Sequence, residues 1–515
     1  MKQSEHTMKA NVKKYKTPRP GKTMVGQHRT KAAEGRKTEA PASAKKKSAC
    51  PYSKQCGGCT QIDVPMEEQL TEKQRLVEEC VGKFGPVEPI IRMKNPYRYR
   101  NKVTSMFGLD RKGHPVCGVY RARSREIVPV KDCLIENRQA DRIVQTVYEL
   151  LPSFKLRVYD PATGFGTLRA VQIRTAHATG EVLVTIVTAG PVFASRNHFA
   201  KALKERHPEI TSIVQNIKDN DSSMVLGDRE KVLLGKGYIE DELCGKRFRI
   251  SSRSFYQVNS LQTQKLYRIA IDAAGLSGKE RVMDAYCGIG TIGICASDQA
   301  GEVLSAELNE DAARDARDNA KRNHADNVTV YQEDAGRFMQ EMAAQGEKAD
   351  VLFMDPPRSG ASEEFLQAAL TLAPKRIVYV SCNPETLGRD LEILTKGGYR
   401  MNKAVPVDMF PFTMEVETVC LLVRRNSLHI DIDVDVEEML QEKRGQATYA
   451  QIKDYVLEQS GLKVSSLYIS QVKRKCGLDV SDSYNKPKSE DSIVPQCPPE
   501  KEEAIMNALR HFGVI

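Results

Sequence analysis

Short apolar runs alternate with longer mixed stretches over residues 281–425 and predict the secondary structure of this region. Four of the runs are rich in aliphatic and β-branched residues, which is typical of buried strands. They begin at Arg281, Val303, Val351 and Ile377. The first run is followed by a glycine turn and then a helix-like stretch. This pattern predicts an α/β domain, and open α/β sheets place their chemistry at the carboxyl ends of their strands.

The pattern is different upstream of this domain. Residues 64–85 have the period of an amphipathic helix, and alternating stretches between 155 and 250 predict a mixed sheet with crossover helices. Residues 97–102 interleave tyrosines with cations, which suits stacking on bases and pairing with phosphates. A polar strand face would explain the same six residues without any role in binding.

A separate helical pattern follows Arg425. Helical periods at 447–457 and 465–475 surround a glycine and predict a helix–turn–helix. A small packed helical domain with no nucleic-acid role explains this pattern as well. Residues 484–500 have the composition of a linker, and a final helix is predicted at 499–511.

Chemistry-bearing residues stand where the predicted strands end. Gly288 and Gly290 follow the first strand and would let a nucleotide-bearing ligand approach the backbone. Glu307 comes about 20 residues later, the usual position for an acid that binds a ribose. Asp355 opens an Asp-Pro-Pro-Arg motif, and Cys382 lies in Ser-Cys-Asn-Pro. A single cysteine is often an apolar filler, but this ordered set is far more specific.

The ordered set resembles that of the RNA (uracil-5-)-methyltransferases, which use S-adenosylmethionine. The resemblance runs from about Cys50 to about Arg425, and it looks most like the bacterial iron–sulfur enzymes that methylate 23S ribosomal RNA. It implies an α/β fold with a Rossmann-like, S-adenosylmethionine-dependent catalytic domain. A mixed α+β RNA-facing domain and a small C-terminal helical appendage would complete the chain.

The resemblance also implies roles for single residues. Cys382 would add to C6 of uracil as the nucleophile, and Glu417 would remove the C5 proton as the base. Contacts to S-adenosylmethionine are expected from Gln257, Tyr286, Glu307, Asp334 and Asp355.

One position departs from the family pattern. The family usually has a histidine two residues before its catalytic glutamate, and this chain has Glu415 there. Residues two apart on a strand share a face, so we expect Glu415 and Glu417 to lie side by side. Two neighbouring carboxylates would raise the pKa of one of them.

Three cysteines within ten residues, Cys50, Cys56 and Cys59, form a loop suited to a metal centre. A fourth ligand is required, and Cys133 is the best candidate. Spacing alone leaves a structural zinc and an iron–sulfur cluster equally acceptable. The family resemblance favours a [4Fe-4S] cluster, and its role would be structural because uracil methylation needs no electron.

Charge is distributed unevenly along the 515 residues. Residues 1–49 hold 14 Lys and Arg against 3 Glu, whereas the remainder holds 63 against 64 acidic residues. With few large apolar residues, this basic tail should be disordered. It is either a solvated tail or one that binds RNA phosphates. Apolar runs of membrane-spanning length and a signal-peptide pattern are lacking, and 13 cysteines at irregular spacing do not resemble a disulfide scaffold. We therefore expect a cytoplasmic protein.

These observations divide the chain into four parts. They are a basic tail at 1–49, the cysteine loop with the RNA-facing domain at 50–250, the methyltransferase domain at 251–426 and the appendage at 427–515. The expected partner is RNA, with 23S ribosomal RNA favoured and transfer RNA possible; a membrane or a protein partner is not indicated. The alternatives are an enzyme that methylates exocyclic amines of bases and a non-catalytic RNA-binding or assembly protein.

Overall fold

The computed structural model describes residues 48–220, 222–425, 449–478, 496–512 and 514. The predicted basic tail therefore lies outside the described residues except for its last two, and so does most of the predicted linker. Within the described part of the chain, no helix is long and apolar enough to cross a membrane.

The first half of the described chain contains three α-helices and a sheet of seven strands. The strands are β1 Lys102–Leu109, β2 Pro115–Tyr120, β3 Ile127–Pro129, β4 Leu168–Thr175, β5 Val182–Thr188, β6 Ile210–Ile217 and β7 Arg229–Leu234, and the helices are α1 Met66–Val81, α2 Arg138–Leu150 and α3 Arg196–Arg206. The strand order is β3-β2-β1-β4-β5-β6-β7. Neighbours are antiparallel except β5 and β6, which are parallel and joined through α3. The predicted mixed sheet is therefore confirmed, although the described residues of 155–250 contain one crossover helix where several were expected.

Helices α2 and α3 contribute to one apolar core with this sheet. Ile143 and Val147 of α2 and Phe199 of α3 pack with Val171 and Ile186 of the central strands. Asn137 begins α2 as an N-cap, because its side chain accepts the backbone N–H of Gln139. This core is separate from the cores of the second large sheet.

The second sheet also has seven strands, and it carries the motifs found in the sequence. Its strands are β10 Arg281–Ala285, β11 Glu302–Ala306, β12 Val328–Tyr331, β13 Val351–Met354, β14 Arg376–Ser381, β15 Tyr399–Val407 and β16 Glu417–Arg424; a hairpin of β8 Tyr238–Leu243 and β9 Lys246–Ser251 precedes them. The helices are α4 Ser260–Ala274, α5 Thr291–Ala296, α6 Glu310–Arg322, α7 Ala335–Ala344, α8 Glu363–Leu372 and α9 Pro384–Lys396. The four strands predicted from apolar runs are all present.

The order of this sheet is β12-β11-β10-β13-β14-β16-β15. The first five strands in this order are parallel, whereas β16 is antiparallel to both β14 and β15. Successive residues of one strand enter opposite cores: Val351 and Phe353 lie in one, and Leu352 and Met354 in the other. Burial on both faces explains why the inner parallel strands are largely apolar in the sequence, whereas the edge strand β12 leaves Thr329 and Tyr331 exposed.

Helix α1 packs on the second sheet although it precedes the first one in the chain. Val77 and Val81 belong to the same core as Leu387 of α9 and Tyr399 of β15. The sequence places this helix with the RNA-facing domain at 50–250, but its apolar face is covered by the catalytic half. This packing brings polar residues of α1 close to the chain that precedes β16.

Three helices form the described part of the appendage. They are α10 Tyr449–Ser460, α11 Ser466–Lys475 and α12 Pro499–His511. Ile452, Val456, Ile469, Val472 and Leu509 are buried against one another and give the appendage a core of its own. The helices predicted in this part of the chain are confirmed.

Candidate active site

The strand order brings the predicted site residues to one edge of the second sheet. Tyr286, Glu307, Asp355 and Cys382 each follow the end of a parallel strand, so all four lie at the carboxyl edge. Strand β16 runs the opposite way, and its first residue is Glu417. Ser381 pairs with Thr418 in this register. The last residue of β14 and the first residues of β16 are therefore neighbours, which places Glu417 beside Cys382.

The thiol of Cys382 is half-buried at the beginning of α9. Burial, followed by the charges of Glu417 and Asp355, raises its pKa to about 11, while the guanidinium of Arg358 lowers it. Asn383 caps α9 by accepting the backbone N–H of Glu385 at 3.1 Å. A helix N-terminus favours a thiolate, so α9 opposes the effect of burial together with Arg358 and a backbone hydrogen bond at Cys382.

Glu417 is a buried acid with an unsatisfied oxygen. The residue is 2% exposed, and Oε2 has no hydrogen-bond partner among the described residues. Burial, with smaller contributions from Asp355 and Glu415, raises its pKa to about 8. Burial also raises the pKa of Asp355 to about 7. A carboxyl group with a pKa near neutral pH is suited to proton transfer.

Glu415 occupies a different environment from Glu417. It precedes β16 and forms a salt bridge with Arg358 at 2.7 Å on the partly exposed side of the site. The expectation that both acids share one face of a strand is therefore wrong, because the strand begins only at Glu417. The two acids differ in their surroundings. Glu415 forms an ion pair with Arg358, whereas Glu417 forms no ion pair within the described part of the chain.

The glycine turn and Glu307 form a second group at this edge. The N–H of Gly288 donates to Oε2 of Glu307 at 3.0 Å, and that of Asn309 donates to Oε1 at 2.8 Å. Tyr286 has a positive φ of 60° and places its ring 4.8 Å from that of Phe365. These contacts fix the turn that leads into α5.

Asp334 and Gln257 are placed differently. Asp334 is exposed and is the N-cap of α7, since its Oδ1 accepts the N–H of Arg337 at 3.0 Å. Gln257 is buried just before α4, and its carbonyl accepts a hydrogen bond from Asn101 at 2.9 Å. The structure thus gives Asp334 a capping role and links Gln257 to the first sheet.

Asp284 is a site residue to which the sequence analysis assigned no role. It is buried in β10, and its Oδ2 accepts the N–H of Gly293 at 2.9 Å. A side chain at Gly293 would place its Cβ only 2.7 Å from that oxygen. Burial raises the pKa of Asp284 to about 7. An acid inside an apolar strand is the sequence signal that could have pointed to Asp284. The carboxylate of Asp284 holds α5 close to the sheet.

The four predicted metal ligands line one cavity. Cys50, Cys56, Cys59 and Cys133 surround a volume of about 240 Å³. The N–H of Gly58 donates to the sulfur of Cys56 at 3.3 Å. Burial raises the pKa of Cys59 to about 11 and that of Cys133 to about 12. Among the described residues, including these four, no three His, Cys, Asp or Glu side chains converge as ligands of a single metal ion.

The segment with interleaved tyrosines and cations is mostly engaged within the protein. Tyr99 is buried, and Arg98 forms ion pairs with Asp132 at 2.8 Å and Asp141 at 3.2 Å. Tyr97 stays exposed and lies 5.2 Å from the ring of Phe412. Of the two tyrosines in this segment, only Tyr97 therefore presents its ring to solvent, and the charge of Arg98 is already paired with acids.

Comparison with known sequences identifies the relatives of this chain. A family model described as tRNA (Uracil-5-)-methyltransferase matches residues 199–425. An uncharacterized RNA methyltransferase of Listeria monocytogenes is 44% identical over 375 residues, which cover 72% of this chain and 82% of the relative. One from Halalkalibacterium halodurans is 40% identical over 382 residues, which cover 73% and 83%.

A solved structure shares the fold. The tRNA (uracil-54, C5)-methyltransferase of Pyrococcus abyssi, in complex with S-adenosyl-L-homocysteine, matches with a TM-score of 0.59 and 27% identity. The match covers 71% of this chain and 86% of that one. The fold and its site define an S-adenosylmethionine-dependent methyltransferase. The chain belongs to the RNA (uracil-5-)-methyltransferase family, and it is an enzyme that acts on RNA.

Proposed function

We propose that the protein methylates C5 of a uridine in 23S ribosomal RNA through a covalent adduct between Cys382 and C6 of the base. The observation that carries this mechanism is the register of β14 and β16, which sets Cys382 next to Glu417. A thiol and a buried carboxyl group at the edge of a methyltransferase sheet supply the two groups that C5 methylation requires. Methylation of an exocyclic amine needs no such thiol.

The need for a nucleophile follows from the chemistry of uracil. C5 is a poor nucleophile until a thiolate adds to C6, because the addition pushes an electron pair toward C5 as an enolate. S-adenosylmethionine supplies the electrophilic methyl group. Glu417 then takes the C5 proton, and the electron pair of that C–H bond re-forms the C5–C6 double bond. The bond between C6 and the sulfur of Cys382 breaks at the same time and releases the thiolate.

Glu417 is favoured over Glu415 as the base. Glu415 is paired with Arg358, and protonating it would break that salt bridge. Glu417 is buried, lacks a partner on Oε2 and has a pKa of about 8. Raising the pKa of a carboxylate toward neutrality makes it a stronger base while a useful fraction stays ionised.

The remaining edge residues are assigned to the methyl donor. Glu307 already accepts two backbone N–H groups, but a carboxylate has further lone pairs with which to bind ribose hydroxyls. Tyr286 follows the neighbouring strand β10, and Asp355 follows β13 on the other side of β10, where it also lies near Cys382. Gln257 and Asp334 complete the proposed set, with Asp334 using the oxygen that the α7 cap leaves available.

The cysteine cavity fits the proposed [4Fe-4S] cluster. Four thiols line a single cavity, and the donors are all sulfur, the ligand type of such clusters. A zinc ion would need four sulfurs about 2.3 Å from one centre. The four thiols alone do not separate such a zinc ion from a four-iron cluster, and the resemblance to the iron–sulfur members of the family favours the cluster. Cys50, Cys56, Cys59 and Cys133 would hold it.

The division into parts is retained as part of this proposal. Residues 50–250 would face the RNA, 251–426 would carry out methyl transfer, and the tail at 1–49 and the appendage at 427–515 would add contacts to a large RNA in the cytoplasm. The target uridine must be splayed out or flipped to reach Cys382, since its C6 is shielded in a stacked helix.

Transfer RNA is the second candidate substrate, because the matching family model and the P. abyssi enzyme are both described as acting on it. Mapping 5-methyluridine in both RNAs from cells lacking the protein separates the two. Loss from 23S ribosomal RNA alone supports the proposal, and loss from transfer RNA alone overturns it.

The covalent mechanism is tested with RNA that carries 5-fluorouridine at the target. Fluorine cannot leave C5 as a cation, so an enzyme that adds Cys382 to C6 becomes trapped in a methylated complex. Wild-type protein should form a complex that survives denaturation, and Cys382→Ala should not. A Cys382→Ala variant that keeps substantial activity on ordinary RNA would show that the thiol is not the nucleophile.

A further inference from the structure

The chain between β15 and β16 is held by groups from distant parts of the protein. We name residues 408–416 the base-support loop, because it leads directly into Glu417. Each of its first five backbone carbonyls accepts a hydrogen bond from outside the loop. The donors are Gln262 to Asp408 (3.0 Å), Asn259 to Met409 (2.8 Å), Lys73 to Phe410 (3.0 Å), Tyr99 to Pro411 (3.2 Å) and the N–H of Gln61 to Phe412 (2.9 Å).

Phe412 has an unusual conformation that these contacts maintain. Its φ is 68°, in the left-handed region that a residue with a bulky side chain rarely adopts. Its N–H donates to Oε1 of Gln69 at 2.9 Å, while the amide of Gln69 donates to the carbonyls of Gln61 and Val64. A residue in such a conformation persists only where its surroundings enforce it.

An ion pair lies beneath the start of the loop. Nζ of Lys73, on α1, is 2.6 Å from Oδ1 of Asp408, and the two side chains are 0% and 1% exposed. The other oxygen of Asp408 has no partner among the described residues. A buried pair whose hydrogen bonds are incomplete adds little to stability, since desolvating both charges offsets their attraction. Its effect is better explained by geometry: one ammonium group binds Asp408 and Phe410 together.

The contacts continue from this point to Glu417. The hydroxyl of Thr413 donates to the carbonyl of Phe410 at 2.8 Å and accepts the N–H of Glu415 at 3.2 Å. Val416 is buried, and Glu417 follows it as the first residue of β16. The path from Lys73 to Glu417 is therefore a continuous set of short contacts along one loop.

We infer that Lys73 and Gln69 are positioning residues that fix the base-support loop and thereby hold Glu417 against C5 of the bound uracil. The inference rests on the proposed function, in which Glu417 removes the C5 proton. Neither residue touches the reacting atoms; both act through the backbone of the loop. The step they affect is the one after methyl transfer, so disturbing them should slow proton removal more than adduct formation.

The test uses the full-length protein with Lys73→Met and with the double change Lys73→Met/Asp408→Asn. The double variant removes both charges, so it stays informative if the single variant leaves Asp408 too costly to bury. Lys246→Met is the matched control, because Lys246 of strand β9 forms an ion pair of the same length, 2.6 Å, with Asp298, which follows α5. Turnover is measured on target RNA carrying uridine or 5-deuterouridine, together with the amount of methylated protein–RNA adduct.

Misplacing a general base should lower turnover by about 10- to 100-fold. Both Lys73 variants should accumulate the methylated adduct and show a larger deuterium isotope effect than wild type, and Lys246→Met should match wild type. Lower activity with no adduct and an unchanged isotope effect would overturn the inference, because a structural defect slows every step. Glu417→Gln serves as the reference variant. If Glu417→Gln accumulates the methylated adduct and the Lys73 variants do not, the positioning role is refuted and the proposed base is retained. If Glu417→Gln accumulates no adduct, the proposed base is refuted, and so is this inference.

Discussion

Replacing Glu417 with glutamine should make the fold more stable at high pH, although it should disable the enzyme. The change keeps the size of the side chain and removes a charge that is 2% exposed and lacks a partner on Oε2. An ionised carboxyl group in such a place is costly, because the charge loses its hydration without gaining a cation. Active sites often retain groups of this kind at the expense of stability.

The size of the effect follows from the pKa of Glu417, which burial raises from 4.5 to about 8. Above pH 4.5 the unfolded carboxyl group ionises, while the folded one keeps its proton until about pH 8. Unfolding therefore releases a proton in this window, and the stability of the wild type falls as pH rises through it. At about 1.4 kcal/mol per pKa unit, the upper limit is about 5 kcal/mol. We expect about 1–3 kcal/mol, because the site relaxes and admits water.

The assay compares thermal and urea unfolding of wild type and Glu417→Gln between pH 4 and pH 9. Midpoints are compared at each pH, since a chain with several cores need not unfold in one step. Glu415→Gln is the matched control: its acid is partly exposed and paired with Arg358, so it should show no comparable gain at high pH. Equal stability of wild type and Glu417→Gln at pH 9, or a difference that does not grow with pH, would refute the reasoning.

Three further predictions concern the ends of the chain and the cysteine cavity. Anaerobically purified protein should contain about four irons per chain, and Cys133→Ser should lose them; one zinc and no iron would contradict this assignment. Deleting residues 1–47, which hold all 14 Lys and Arg of the tail, should weaken RNA binding at low salt and flatten its salt dependence, with site choice unchanged. Deleting residues 427–515 should spare methylation of a minimal RNA fragment, and loss of that activity in a folded protein would place the appendage in the active site.

The sequence was sufficient to predict the parallel half of the catalytic sheet. Four of its five strands are largely apolar because they are buried on both faces, and a candidate functional residue follows the end of each of these four. Asp355 and Cys382 could be placed at one edge for this reason. Glu417 was found only through the family resemblance, because an antiparallel strand reaches the same edge with its first residue and leaves no comparable pattern.

The contacts around the base-support loop could not be predicted in this way. Lys73 and Asp408 are 335 residues apart in the chain, and Gln69 and Phe412 are 343 apart. Side chains brought together over such distances leave no periodic signal in either segment. Helix α1 was predicted correctly from its apolar period, but the period gives the face that is buried and not the element that covers it. The position of Glu415 was wrong for a related reason, since the start of β16 depends on its pairing with β14.

These long-range contacts also give a physical meaning to the structural role expected for the cysteine cavity. Cys59 and Cys133 pack against a small apolar core that contains Ile62, Tyr99 and Phe412. Phe412 belongs to the base-support loop, and the hydroxyl of Tyr99 donates to the carbonyl beside it. An iron–sulfur cluster held by the four thiols would therefore brace the loop at Pro411 and Phe412. Uracil methylation transfers no electron, so a rigid support for Glu417 is the contribution that such a cluster can make to the reaction.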